Sequence, residues 1–290
     1  MVHRRLAVAF AAIAFAAAST AAAQEPVTAV PLGDLLGVLR TVEVRVGDQD
    51  ATMILDTGGG VTVITPDLAG RIGCVPWGQL SGFRLSGERL TMTRCDDVAL
   101  GVGGEALGDR NLGVFDLASL LPPEAPKIDG ILSLDVLAAA PFTLELGAGR
   151  LTLETPQSLA ARAAGAAEVP IRFHRQAGGA SLTVMVRVPT DSGDLWMQLD
   201  AGSDAPLLIP PSSATALGLD PAVPSQAATL TVRGVNGEAV SHPARARVRD
   251  MIIDGNIGIP VMKDWIMTFD LAEGRLWVRP TSPASTTGAR

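Results

Sequence analysis

Three landmarks recur in the same order in the two halves of this 290-residue chain, and such a duplication limits its possible folds more than composition does. The first pair is Ala51 to Cys74, ATMILDTGGGVTVITPDLAGRIGC, and Trp196 to Leu219, WMQLDAGSDAPLLIPPSSATALGL. Each runs from an apolar strand ending in Asp, through a small residue and Gly, into a second apolar stretch, a Pro and a short helical segment. The second pair is Lys127 to Leu137, KIDGILSLDVL, and Ile252 to Met262, IIDGNIGIPVM. The third is a hairpin, Phe142 to Leu153 and Ile266 to Val278. The offset is 144 residues from Asp56 to Asp200 and 125 from Asp129 to Asp254, so the second copy is 19 residues shorter between these landmarks, a difference that loops can absorb.

The local pattern within each copy is mostly β. Val42 to Val46 is read as strictly alternating, as is Leu182 to Val188. Ser86-Gly87, Asn236-Gly237 and the run Gly101 to Gly104 are hairpin turns between such segments. Pro66 to Ile72 and Pro211 to Leu217 are short helices with Pro in the first turn. Many short strands and Gly-rich turns predict an all-β chain of two similar lobes, over 24–154 and 170–280. Between them, 155–169 is Ala-rich, bounded by Pro156 and Pro170, and reads as a linker with a helical stretch around Leu159 to Ala164. The tail 281–290 lacks apolar periodicity and is expected to be disordered.

The first 23 residues read as a signal peptide: Arg4 and Arg5, an apolar run from Leu6 to Ala18, and a small-residue cleavage site at Ala21 to Ala23. Export to the periplasm or the medium is therefore expected, without stable membrane insertion once the leader is removed. The 21 basic and 30 acidic residues that remain balance at −9, which argues against nucleic acid or an anionic membrane as partner. In an oxidising compartment Cys74 and Cys95 are most simply one disulfide. Two cysteines with His174 and His242 far off in the other half do not make a metal site, and no cofactor is expected.

The chemistry-bearing residues are Asp56-Thr57-Gly58 and Asp200-Ala201-Gly202. One Asp-[Thr/Ser/Ala]-Gly arises by chance on the order of 0.2 times in a chain this long; two, each behind an apolar strand and in register with a duplicated lobe, are far more specific. A carboxylate at a strand end, followed by small residues, can sit on a tight turn open to a cleft. Two such turns facing across a twofold axis would bring the carboxyls within hydrogen-bonding distance. They could not both ionise, and would share one proton as a unit.

These motifs resemble the aspartic peptidases, and more closely their retropepsin-like bacterial branch, where a strand–DTG–strand–helix unit precedes a flap hairpin and a DGILG-type segment. Ile128 to Leu132 matches that last segment, and Ile253 to Gly258 more loosely. The resemblance spans roughly Val38 to Pro280. It implies two acid-protease-type β-barrel lobes related by pseudo-twofold symmetry, with a few short helices. It also implies Asp56 and Asp200 as catalytic carboxylates, Thr57, Gly58, Ala201 and Gly202 as support of their turns, a polypeptide substrate and no cofactor. Both copies lie in one chain, so a monomer suffices.

The sequence departs from the family at three places. Gly59 and Gly60 follow the first motif where Ser or Ala is usual, Ala201 lacks the hydroxyl that would complete a reciprocal brace with Thr57, and the chain has no Tyr for the flap. The flap is expected over Ser81 to Thr93 with Ser86-Gly87 at its tip, and Phe83, Leu85 or Trp77 over a substrate. Asn236-Gly237 is read as marking the equivalent hairpin of the second lobe. Asp129 and Asp254 are expected to bond nearby backbone N–H groups, Asp67 to sit in a first helical turn and Asp204 to be solvated. Two functions follow: an exported aspartic endopeptidase, or a periplasmic peptide-binding relative that kept the cleft without turnover.

Overall fold

The computed structural model describes residues 27–281. The signal peptide read over 1–23 and the tail beyond Thr281 lie outside the described residues. Within them the chain forms sheets of eight, seven and six strands. The eight-stranded sheet belongs to the first repeat and the seven-stranded sheet to the second, and they share one strand order. In the first, Leu39–Val46, Gln49–Leu55, Gly130–Leu132, Val63–Ile64, Glu105–Val114 and Arg89–Val102 lie side by side. In the second the order is Thr183–Thr190, Gly193–Asp200, Asn256–Gly258, Leu207–Ile209, Ala239–Val248 and Ser225–Arg233. The senses match too: Gln49–Leu55 runs parallel to Gly130–Leu132, as Gly193–Asp200 does to Asn256–Gly258. In the first lobe Leu39–Val46 also pairs with Arg89–Val102, which closes the sheet toward a barrel.

These strands form where alternation or an apolar run demands burial. Along Leu39–Val46 the residues Val42, Val44 and Val46 are buried while Glu43 and Arg45 are exposed. Gln49–Leu55 carries Met53, Ile54 and Leu55 into a core on both faces, as expected of a strand with a parallel neighbour. The helix Pro66–Arg71 starts where Thr65 accepts a hydrogen bond from the Leu68 N–H and Pro66 occupies the first turn. Its counterpart Pro211–Ala216 has Pro in the same place. Cys74, just past the first helix, is disulfide-bonded to Cys95 in the long strand Arg89–Val102, with Cα atoms 6.1 Å apart. Closing this loop contributes about 3 kcal/mol by the chain-entropy estimate.

The third sheet belongs to both halves. The hairpins Phe142–Glu145/Arg150–Leu153 and Trp265–Asp270/Arg275–Pro280 join edge to edge, flanked by Thr28–Pro31 and Ala167–Glu168. Thr143 pairs with Thr268, and their hydroxyls lie 2.9 Å apart in the core. Their offset is again 125 residues, so the pseudo-twofold axis passes between them; beside it Phe142 stacks on Phe269 at 4.8 Å. The segment 155–169 is more ordered than a bare linker. Its helix, Pro156–Ala163, begins earlier than expected because Thr155 and Ser158 form a capping box, and Ala167–Glu168 adds a strand to the shared sheet.

One expectation is corrected. By strand order, the hairpin around Asn236-Gly237 corresponds to the one turning at Gly103-Gly104, not to the flap. The flap strand Trp77–Phe83 has no partner in the second sheet. Much of the 19-residue shortening is therefore the missing flap, so a single hairpin covers the cleft from the first lobe alone.

Candidate active site

Asp56 comes just after Gln49–Leu55 and Asp200 ends the equivalent strand Gly193–Asp200, and each turn is tied in the same way. The Gly58 N–H donates to Asp56 Oδ1 at 2.8 Å and the Gly202 N–H to Asp200 Oδ1 at 3.0 Å. The two carboxyl groups face each other at the floor of the cleft. Glycine is required on both sides for one steric reason. A Cβ on Gly58 would lie 2.5 Å from the Asp200 carboxyl, and a Cβ on Gly202 2.5 Å from that of Asp56. Each glycine thus leaves room for the opposing acid.

The brace between the turns has one half. Buried Thr57 donates its hydroxyl to the Leu199 carbonyl at 2.8 Å and accepts from the Ala201 N–H at 3.0 Å. Ala201, fully buried, returns no such bond. Gly59 and Gly60 also have local causes. A Cβ on Gly59 would fall 2.7 Å from Ser133 Oγ. Gly60 has φ +79° and its carbonyl accepts from the Leu182 N–H of the other lobe at 2.8 Å.

Burial raises the pKa of both acids. For Asp56 the N–H groups of Gly58, Gly59 and Gly202 work against it. For Asp200 the neighbouring Asp56 charge adds to burial, and the Asn256 side chain opposes both. The pair therefore holds a proton well above the usual carboxylate range, and holds it as a unit.

Sequence reasoning missed Asn256 and Gln198. Asn256 is fully buried and donates its Nδ2 to Asp200 Oδ2 at 2.8 Å, while its Oδ1 has no partner. Gln198, beside it in parallel register, reaches the Gly58 carbonyl at 3.4 Å. In the first lobe the matching pair is Ile54 and Ile131. Aligning the copies residue by residue would have exposed the signal: two amides in core positions where the twin has isoleucine.

Above the pair lies a cavity of about 420 Å³. Phe83, Leu85 and Ser86 of the hairpin line it, with Val61, Val63 and Met92 beneath. The hairpin turns over Arg84 to Glu88 with Gly87 at φ +85°, and two bonds hold it across the cleft. Gln176 Oε1 accepts from the Phe83 N–H at 2.5 Å, and the Leu85 carbonyl accepts from the Ile252 N–H at 2.9 Å. Gly87 does not line the cavity, and a Cβ on it would lie 3.1 Å from Ile252. Trp77 stands apart, at the base of the hairpin and stacked under Arg94.

The other acids have separate partners. Asp129 accepts from the Thr52 N–H and pairs with Arg71, and Asp254 accepts from the Trp196 N–H at the equivalent position. Asp67 pairs with Lys127 and Arg71, which holds its carboxyl below the usual range. Asp204 is exposed beside Asp200. Among the described residues no group of three or more His, Cys, Asp or Glu is placed to hold a metal ion.

Residues 42–136, the part of the first lobe that carries Asp56 and Asp129, match the family model for aspartyl protease. No curated protein matches the chain by sequence. Among solved structures, the crystal structure of basic 7S globulin from soybean has a similar fold, with a TM-score of 0.57 and 11% identity over 91% of this chain and 97% of that one. The chain is thus similar in sequence to aspartyl proteases over 42–136, and over most of its length it shares the fold of the soybean globulin.

Proposed function

We propose that the protein is an exported aspartic endopeptidase whose catalytic residues are Asp56 and Asp200. The observation that carries this reading is the apposition of the two carboxyls at the floor of a covered cleft, with a glycine opposite each. In the monoanion, the ionised carboxylate takes a proton from a bridging water as its oxygen attacks the scissile carbonyl carbon. The protonated partner hydrogen-bonds the carbonyl oxygen. Collapse of the tetrahedral adduct breaks the C–N bond, and the amine leaves with a proton from the pair. Both carboxylates belong to one chain, so a monomer is sufficient. The disulfide suits an oxidising compartment, which supports export.

A second reading, peptide binding without turnover, is favoured by Ala201, which leaves the brace half made. A lost hydrogen bond of this kind is worth about 0.5–1.5 kcal/mol, too little to abolish catalysis by itself. The test is digestion of casein by the chain lacking 1–23 from about pH 3 to pH 8, with Asp56→Asn alongside. Cleavage by the wild type that the variant loses supports the enzyme; peptide binding by both with cleavage by neither supports the second reading.

A further inference from the structure

The cleft is chemically lopsided, and the asymmetry names a substrate class. On one side of the aspartates the cavity wall is apolar, with Val61, Val63, Leu80 and Met92. On the other side a second, shallower cavity of about 650 Å³ also opens at Asp200 and runs past Gly202 and Leu208 to Arg247 and Arg249. Arg249 and Asp200 line both cavities, so a chain leaving the aspartates in that direction meets these two guanidinium groups.

The arginines come from Arg245-Ala246-Arg247-Val248-Arg249, at the end of the strand Ala239–Val248. Alternation buries Ala246 and turns the three arginines outward. Across the strand pair, Arg247 faces Ser225 and Arg245 faces Ala227, neither of them acidic. Asp204 lines the same cavity and Asp250 follows Arg249. Even so, among the described residues neither Arg247 nor Arg249 is in an ion pair or accepts a stacking partner. Arg84, the other guanidinium of the cleft, is paired with Glu88. Two unpaired cations beside the aspartates are notable in a chain of net charge −7.

We infer that Arg247 and Arg249 form a subsite for acidic side chains, so that the preferred substrate is an extended polypeptide with a bulky apolar residue on one side of the scissile bond and acidic residues at alternate positions on the other. Alternate side chains on a strand stand about 6.5–7 Å apart, the same repeat as in an extended peptide, so acids at positions i and i+2 meet the two arginines together. This deepens the proposed function and rests on the cleft being a peptide site. It does not require that the peptide be cut.

The test separates the two. Binding of fluorescently labelled peptides to the full chain carrying Asp56→Asn is measured by anisotropy, with a Glu-x-Glu peptide, its Gln-x-Gln twin and a Lys-x-Lys twin. The Glu peptide is expected to bind roughly five- to tenfold more tightly at low salt. That advantage should vanish at about 1 M salt, where the screening length is about 3 Å. Arg247→Glu with Arg249→Glu should transfer it to the Lys peptide. Equal affinity for the Glu and Gln peptides, absence of binding, or a Glu preference that survives the double charge reversal would overturn the inference. So would binding to anionic lipid vesicles with no Glu preference, which would assign the arginines to a membrane. If the variant prefers the Glu peptide but wild type never cleaves it, the subsite stands and the endopeptidase reading fails.

Discussion

Replacing Asn256 by leucine, nearly its isostere, separates the roles of the two aspartates. Asn256 gives Asp200 its one side-chain amide donor, Nδ2 to Oδ2 at 2.8 Å, inside a fully buried site. A hydrogen bond to a charged acceptor contributes about 1.5–3 kcal/mol. It favours ionised Asp200, so its loss makes the pair harder to deprotonate. Removing both protons passes from the neutral pair to the dianion, whatever the intermediate. The sum of the two apparent pKa values must therefore rise by about 1–2 units, at 1.36 kcal/mol each. The split between the two limbs tells which residue carries the shared proton. If Asp200 holds it, the alkaline limb of the kcat/KM profile moves up and the acid limb stays. If Asp56 holds it, the acid limb moves. Folding stability should change little, because the substitution also removes the unpaired buried Oδ1, whose desolvation costs about 1–3 kcal/mol. The assay is the pH–rate profile of both proteins on one peptide, with thermal melts alongside. Superimposable profiles would refute the reasoning, since a donor at that distance in that burial cannot be silent.

Four further outcomes are expected. Gly58→Ala and Gly202→Ala should each cost about 100-fold in kcat/KM by displacing the opposing carboxyl. Gly70→Ala, in a helix with open space around it, should leave kcat/KM unchanged. Asp135 is pushed up to about 6 by burial, against hydrogen bonds from Thr62. A folded-state value above the ordinary 3.8 means its contribution is fully present below that pH and lost as pH rises through about 6, so Asp135→Asn should flatten the melting temperature across that window. Gln176→Ala removes the acceptor of the Phe83 N–H, and hydrogen exchange of the hairpin over 81–90 should quicken while the strand Gln49–Leu55 is unaffected.

What was legible in the sequence was what the duplication repeats. The offset of 144 residues located both aspartates, and Pro66 and Pro211 located both helices, because each signal lies within one short segment. The shared sheet was not legible. Phe142 to Leu153 reads as a self-sufficient hairpin, and only the meeting of the two copies at Thr143 and Thr268 makes it half of a larger sheet. The hairpin's anchorage was hidden for a similar reason. Gln176 lies 93 residues from Phe83, in a Gly-rich stretch with no periodicity to mark it. Gly59 and Gly60 looked like plain departures until Ser133 and Ser181 showed what stands where their side chains would be.

The central claim is that Asp56 and Asp200 act as one unit. It is tested most directly by comparing casein cleavage by the wild type, Asp56→Asn, Asp200→Asn and the double variant under identical conditions. The account predicts that each single variant loses nearly as much activity as the double, because a proton cannot be shared by one carboxyl. Losses that multiply independently, or a single variant that keeps most of the wild-type rate, would contradict it.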